Sequence, residues 1–274
     1  MDEGCARRID AAELRDLLAF AVAIAEAAGP IALRYFRAPL DVHNKESGGG
    51  FDPVTRADHE IEAFLRAEIG RRFPEHGVIG EEQGHTHGTS TLCWIIDPID
   101  GTRSFISGSP AWGTLLGLSD GDSPILGVAH IPYLRETFFG SGDGAWLKHE
   151  GEVRRMHTRA IAHVADAILC CTHPAAITGA SERAGFERVA AATRMLRYGG
   201  DCYSFCMLAL GQVDVVIDGS LQPYDIIPLM PIIAAAGGVV TDAGGGSAQR
   251  GGVIVAAANA ALHAQAVAVM GLRA

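Results

Sequence analysis

The segment Trp94-Ile95-Ile96-Asp97-Pro98-Ile99-Asp100-Gly101-Thr102 closes an apolar run with two carboxylates three residues apart. A buried strand delivers Asp97 to its end, and a turn fixed by Pro98 returns Asp100 to the same place. Carboxylates held that close repel and raise each other's pKa, and they stay ionised together only when a hard cation such as Mg²⁺ neutralises them. Gly101 and Thr102 then open a short segment, Thr102 to Ile106, whose backbone N–H groups present a helix start to a phosphate. Metal and anion sites thus share one turn. The alternative for the same residues is an Asp-Pro turn with a capping aspartate.

Other acidic positions add to this nucleus. Gly80-Glu81-Glu82 lies just upstream, and Pro223-Tyr224-Asp225 precedes an apolar helix, where Asp225 is either an N-cap or a metal ligand. In Asp52-Pro53-Val54-Thr55-Arg56-Ala57-Asp58 one carboxylate caps the helix that starts at Thr55 while another reaches the site. Arg103 either neutralises phosphate or pairs with an acidic neighbour at a subunit interface. Asp201, behind Gly199 and Gly200, either caps the Cys202–Leu210 helix or meets substrate. His85 and His87 alternate like a transition-metal pair, but they lack a third ligand and read as a solvated loop. Cys202 and Cys206 share a helical face with Met207 and Leu210 and read as buried thiols.

The elements that must position these groups follow from hydrophobic spacing. Apolar residues recur at helical intervals over Ala11 to Phe36, as a helix pair or a kinked helix around Gly29-Pro30, and again over Thr55 to Arg72, so two helices precede the first strand. Strands are predicted at Leu92–Ile96, Thr114–Leu118, Ile125–Ile131 and Glu136–Phe139, separated by Gly/Asp/Ser clusters, which is the pattern of an antiparallel or mixed sheet. Beyond Gly151 to Thr158 the pattern alternates. Strands at Ala167–Thr172, Val213–Ile217, Val239–Thr241 and Val253–Ala257 are interleaved with helices at Arg183–Thr193, Cys202–Leu210, Ile226–Ala236 and Ala260–Met270. Pro231 predicts a kink in the Ile226–Ala236 helix. The chain therefore divides into an N-terminal α+β half, 1–150, carrying the first acidic motifs, and a C-terminal α/β half, 151–274, that completes the site within one compact unit.

The 274 residues carry 22 Lys+Arg against 32 Asp+Glu, a net charge of −10, which argues against a general nucleic-acid binder. With 48% hydrophobic and 20% charged residues, disorder and a coiled coil are also poor readings. The 34 glycines exceed the usual share of about 7% and imply tight turns or close backbone approaches. Six cysteines without a Cys-x-x-Cys pair, and no signal peptide ahead of them, predict reduced thiols in a cytoplasmic protein. The apolar stretch from Leu17 to Phe36 contains Glu26, Gly29, Pro30 and Arg34 and is not read as a membrane span.

Taken together, Gly80-Glu81-Glu82, the Asp97-Pro98-Ile99-Asp100-Gly101-Thr102 block, and Pro223-Tyr224-Asp225 ahead of Ala235-Ala236-Gly237-Gly238 resemble the signature motifs of the inositol monophosphatase family of Mg²⁺-dependent phosphatases. The resemblance extends from about Leu14 to Gly271. It implies an α/β fold, a layered αβαβα sandwich. It also implies that Glu81, Asp97, Asp100, Asp225 and the carbonyl of Ile99 hold two or three Mg²⁺ ions, while Asp52 and Thr102 orient an attacking water with Glu81. Phosphate would rest on the N–H groups of Gly101 and Thr102. The segments around Arg103-Ser104-Phe105-Ile106, Pro110-Ala111-Trp112-Gly113-Thr114 and Tyr198-Gly199-Gly200-Asp201-Cys202-Tyr203 look most like the histidinol-phosphate phosphatases of this superfamily.

That resemblance implies a small phosphomonoester as substrate and a homodimer, with neither nucleic acid nor membrane as partner. Histidinol phosphate carries an ammonium and an imidazole that acidic groups such as Asp201 and Asp218 complement, whereas inositol is a neutral polyol. Asp100, Gly101, Thr102, Arg103, Gly200, Asp201, Asp218 and Asp225 are the expected substrate contacts. Asp218 stands where many relatives carry Glu. An inositol phosphatase or a broad phosphomonoesterase is the near alternative, and a non-catalytic regulatory protein of the same fold is the distant one.

Overall fold

The structure is a computed structural model that describes residues 9–39, 42–44 and 53–272. Asp10 starts the first element: its carboxylate accepts the N–H groups of Ala12 and Glu13, both at 2.8 Å. Helix α1 (Ala11–Tyr35) then runs unbroken through Pro30, so it is one helix where the sequence left a pair open. Proline removes one N–H from the ladder, and tertiary packing of the apolar face outweighs that loss. Among the described residues α1 is the helix whose length and apolarity would allow it to cross a membrane. Here its face of Leu17, Leu18, Ala21, Ile24, Ala25, Ala28 and Ala32 is buried in the core.

A two-stranded antiparallel pair follows, β1 (Val42–Asn44) with β2 (Pro53–Thr55), and then α2 (Arg56–Arg72). Two helices therefore do not precede the first strand; β1 and β2 lie between them, each of three residues and too short to carry an apolar period. A capping box starts α2. Thr55 accepts from Ala57 N at 3.1 Å while Asp58 accepts from Thr55 N at 2.8 Å.

Strands β3 (Gly77–Gly80), β4 (Gly84–Thr86), β5 (Cys93–Asp100), β6 (Gly113–Ser119), β7 (Pro124–Ile131), β8 (Glu136–Ser141), β9 (Gly144–His149) and β10 (Glu152–Arg155) form one sheet. Its order is β10-β9-β8-β7-β6-β5-β3-β4, and every pair is antiparallel except β3 with β5. Helix α3 (Thr102–Ser107) leaves the end of β5. The second sheet has the order β12-β11-β13-β15-β14. It is built from β11 (Ile168–Cys171), β12 (Met195–Tyr198), β13 (Val215–Leu221), β14 (Val239–Asp242) and β15 (Gly252–Ala257), with α4 (Ala180–Ala192), α5 (Asp201–Ala209), α6 (Pro223–Ile226), α7 (Leu229–Ala235) and α8 (Ala260–Met270) between and after them.

Period-two alternation sorts the core into three layers. Trp94, Ile96, Leu116, Leu118, Leu126 and Val128 face α1 and α2. Leu115, Ala129 and Phe138, on the opposite face of the same sheet, meet α5 and α7, which also cover Cys170, Val216, Ile254 and Ala256 of the second sheet. Leu169, Val215, Ile217, Val255 and Ala257 turn the other way, toward α4 and α8. The result is an αβαβα sandwich with α5 and α7 in the middle.

Where α6 and α7 dock on the larger sheet, side chains have been removed. Gly117, Gly127 and Gly140 are cross-strand partners on β6, β7 and β8. A Cβ on Gly127 would lie 1.8 Å from the Pro228 carbonyl oxygen, and one on Gly140 would lie 2.8 Å from Ile232 Cα. The predicted Ile226–Ala236 helix is thereby divided, because Pro228 takes the N-cap position of α7 and Pro231 falls in its first turn. The break is at Pro228, and Pro231 costs nothing there because a first-turn N–H has no helical acceptor.

Candidate active site

The β5–β6 ladder shifts register between Asp97 and Asp100, so the strand bulges at Pro98 and Ile99. Thr114 Oγ1 donates to the Pro98 carbonyl at 2.9 Å and holds that bulge. Gly101 follows with φ +83°, a left-handed conformation that glycine adopts without strain, and a Cβ there would lie 3.0 Å from the Asp201 side chain. The chain then enters α3, with Thr102 Oγ1 donating back to the Ile99 carbonyl at 3.1 Å.

This turn sets Asp97 and Asp100 beside Asp225, each offering an oxygen within 4.8 Å of the others. Gln222 holds the N-cap position of α6, so Asp225 is not the cap that the sequence left open. It is the third residue of α6, accepts the Gln222 N–H at 2.8 Å, and belongs to the carboxylate cluster. Asp100 accepts from Cys202 N at 2.7 Å. Burial first, then the charges of Glu81, Asp100 and Asp225, raise the Asp97 pKa well above the usual carboxylate value. Asp100 is raised likewise, by burial and then by Asp225 and Asp201.

Asp97 is 1% exposed, and among the described residues its Oδ1 has no hydrogen-bond partner. A buried, unpartnered carboxylate oxygen facing two further carboxylates is costly unless a cation joins it. Because all the donors are oxygens, the cluster fits a hard divalent ion such as Mg²⁺ better than a soft metal.

The cluster lies in a cleft of about 770 Å³ that is also lined by Glu81, Thr102, Arg103, Asp201 and Asp218. Glu81 follows β3, and its N–H donates to the Ile96 carbonyl at 3.2 Å, so it enters beside β5. Gly200 holds the N-cap position of α5 at φ +126°, and Asp201 is the first helical residue. Asp201 therefore does not cap the helix. Its Oδ2 accepts from Ser104 Oγ at 2.6 Å and its N–H donates to Thr172 Oγ1 at 3.0 Å. Asp218 is buried beneath them and accepts from Thr172 N and Oγ1, both at 2.8 Å; burial raises its pKa to about 6. Asp52 lies outside the described residues.

His85 and His87 depart from the loop reading. His85 is within β4, paired to Ile79 of β3, and the two rings lie 3.9 Å apart on the surface. Cys202 and Cys206 are buried, and the cysteines at 93, 170, 171, 202 and 206 are free thiols. Sequence reasoning missed Ser104 and Thr172, which carry the hydrogen bonds around Asp201 and Asp218. It also missed Glu62, whose signal is a carboxylate on the buried α2 face of Ile61, Leu65 and Ile69.

The acidic cluster is thus built from the end of β5 in the larger sheet and from α6, which follows β13 of the smaller one. The chain belongs to the inositol monophosphatase family, whose model matches residues 13–270. The bifunctional phosphatase IMPL2, chloroplastic, of Arabidopsis thaliana is 37% identical over 81% of this chain; the match spans 62% of that plant protein. Histidinol-phosphatases of Chlorobaculum parvum and Mycobacterium tuberculosis are 32% and 31% identical, over 79% and 78% of the chain and 82% of each relative. Among solved structures, an inositol monophosphatase from Zymomonas mobilis superposes with a TM-score of 0.83 at 32% identity, covering 96% of this chain and 100% of that one. The family is Mg²⁺-dependent in general, and the chain is a phosphoric monoester hydrolase.

Proposed function

We propose that this phosphatase hydrolyses L-histidinol phosphate to L-histidinol and phosphate with Mg²⁺, as a cytoplasmic homodimer serving histidine biosynthesis. The observation that carries the reading is the acidic wall of the cleft. Asp201 and Asp218 line the same cleft as the Asp97–Asp100–Asp225 cluster, and on this reading they face the alcohol end of a bound phosphomonoester. A cationic alcohol bearing an ammonium and an imidazole is favoured there over a neutral polyol. The identity to histidinol-phosphatases across most of the chain supports the same choice.

Asp97, Asp100, Asp225, Glu81 and the Ile99 carbonyl are the groups that would hold the metal. Bound Mg²⁺ supplies Lewis-acid polarisation of the phosphate and a water of lowered pKa. Glu81 and Thr102 place the attacking water, with Asp52 in support. Thr102 does so from a hydroxyl whose proton is already committed to the Ile99 carbonyl, leaving its lone pairs to accept. Gly101 and Thr102 N–H groups receive the phosphate oxygens, and Arg103 adds positive charge at the rim. The water oxygen bonds to phosphorus and releases a proton, the ester P–O bond breaks, and the leaving alkoxide takes up the equivalent proton from solvent. Gly200 gives the chain room to bring Asp201 to the alcohol.

The test is phosphate release with Mg²⁺ from L-histidinol phosphate, inositol 1-phosphate, fructose 1,6-bisphosphate and a 3′-phosphoadenosine nucleotide, with Asp97→Asn as the blank. A lead of about a hundredfold in kcat/KM for histidinol phosphate, roughly 2.7 kcal/mol, supports the reading. Inositol 1-phosphatase is the second reading, favoured by the superposition on the Zymomonas mobilis structure. A lead for that substrate, or equal rates for all, would make it the better one.

A further inference from the structure

Below the turn that carries Glu81 lies a buried ion pair that reaches neither the carboxylate cluster nor the cleft. Glu62 on α2 has a fully buried side chain. Its Oε1 accepts from Arg66 Nε at 2.7 Å and from Gln83 N at 3.0 Å, and its Oε2 accepts from Glu82 N at 2.7 Å. Arg66, with a side chain 13% exposed, continues across the turn and donates to the Gly84 carbonyl and, at 3.1 Å, to Thr86 Oγ1 of β4. Gly80 makes room for this arrangement: a Cβ there would lie 2.3 Å from Glu62 Oε1.

We infer that Glu62 and Arg66 are positioning residues for the metal site, forming a clamp that fixes the turn on which Glu81 enters the cleft. The inference rests on the proposed role of Glu81. Burying a carboxylate and a guanidinium is a poor way to gain stability, since an apolar pair of similar size commonly does as well. What the pair provides is geometry. Two N–H groups immediately after Glu81 are held by Glu62, the next carbonyl in the turn is held by Arg66, and α2 becomes a rigid base for a segment that Glu81 N–H also ties to β5 and that leads into the three-residue β4. Groups that orient a ligand in this way commonly matter for metal affinity by ten- to a hundredfold.

Full-length Glu62→Gln and Arg66→Lys are compared with the parent and with Glu81→Gln, after thermal unfolding confirms that each is folded. Mg²⁺ binding is measured by calorimetry, and amide exchange of Glu82 and Gln83 is followed without metal. Glu62→Gln is expected to weaken Mg²⁺ binding about tenfold or more and to lose protection at both amides, with turnover recovering as Mg²⁺ is raised. Arg66→Lys keeps the charge but gives up the fork, and shifts both readouts in the same direction by less. Mg²⁺ affinity within about twofold of the parent in the folded variants, with Glu81→Gln weakened, overturns the clamp. Should Glu62→Gln not fold, Arg66→Lys decides alone. Unchanged Mg²⁺ affinity in Glu81→Gln instead overturns the role of Glu81, and the clamp with it.

Discussion

The Asp100 carboxylate accepts the Cys202 N–H at 2.7 Å, which ties the end of a strand in the larger sheet to the first turn of the helix beneath the smaller one. The same carboxylate approaches Asp97 and Asp225, so the junction of the two sheets is also the most acidic spot in the cleft. Burial and mutual repulsion keep Asp97 and Asp100 protonated well above the usual carboxylate range when no cation is bound. On the proposed metal assignment, Mg²⁺ and protons would compete for one set of oxygens.

That competition has a signature in stability. The folded metal-free protein keeps a proton on Asp97 that the unfolded chain releases near the ordinary value of about 4, so this contribution to stability falls as pH rises from there through the raised pKa. Asp97→Asn removes it. In EDTA the variant's Tm should exceed the parent's by a margin that grows as pH rises above the ordinary carboxylate value, and saturating Mg²⁺ should stabilise the parent and close that margin. Scanning calorimetry across pH checks this; a margin independent of pH would mean that Asp97 is not held protonated.

Gly127 is the tightest of the three glycines under α7. Gly127→Ala forces its methyl group onto the Pro228 carbonyl and should cost about 2–3 kcal/mol, near the upper end for overpacking. Because the displaced segment also carries Asp225, turnover should fall along with Tm. Denaturant unfolding and phosphate release measured on one preparation will show whether the two losses travel together.

Asp201→Asn retains an oxygen for the Ser104 hydroxyl and removes only the charge. If the acidic wall reads a cationic alcohol, KM for histidinol phosphate rises about tenfold while inositol 1-phosphate hydrolysis changes by less than about twofold. Equal effects on both substrates would assign Asp201 to structure rather than selection.

Thr102→Val and Thr102→Ser separate the hydroxyl from the fold around it. Loss of the hydroxyl should lower kcat by at least about a hundredfold, with Mg²⁺ affinity little changed, and serine should restore turnover to within about tenfold. A valine variant as active as the parent would remove Thr102 from the mechanism.

The strongest sequence signal, Asp97-Pro98-Ile99-Asp100-Gly101-Thr102, was legible because turn chemistry and a buried strand coincide within nine residues. The central strands β5 to β8 were visible for the same reason, since each carries a full apolar period. Strand β4 was not: all three of its residues are exposed, so no burial pattern marks it. Pro231 misled because its cost depends on how far it lies from a helix start, and that start is set by Pro228 meeting Gly117 and Gly127 on another element. The support around Asp201 and Asp218 escaped notice because Ser104 and Thr172 look like ordinary surface polar residues until the two sheets are brought together.

The clustered carboxylates Asp97 and Asp225 are far apart in the chain and belong to segments that meet only after both sheets have formed and α7 has settled on its glycines. Such long-range closure comes late in folding, so a transition state with either sheet unfinished offers Mg²⁺ no cage to bind. The ion should leave the refolding rate almost untouched and slow unfolding instead, acting as a latch on the finished molecule rather than a template for making it.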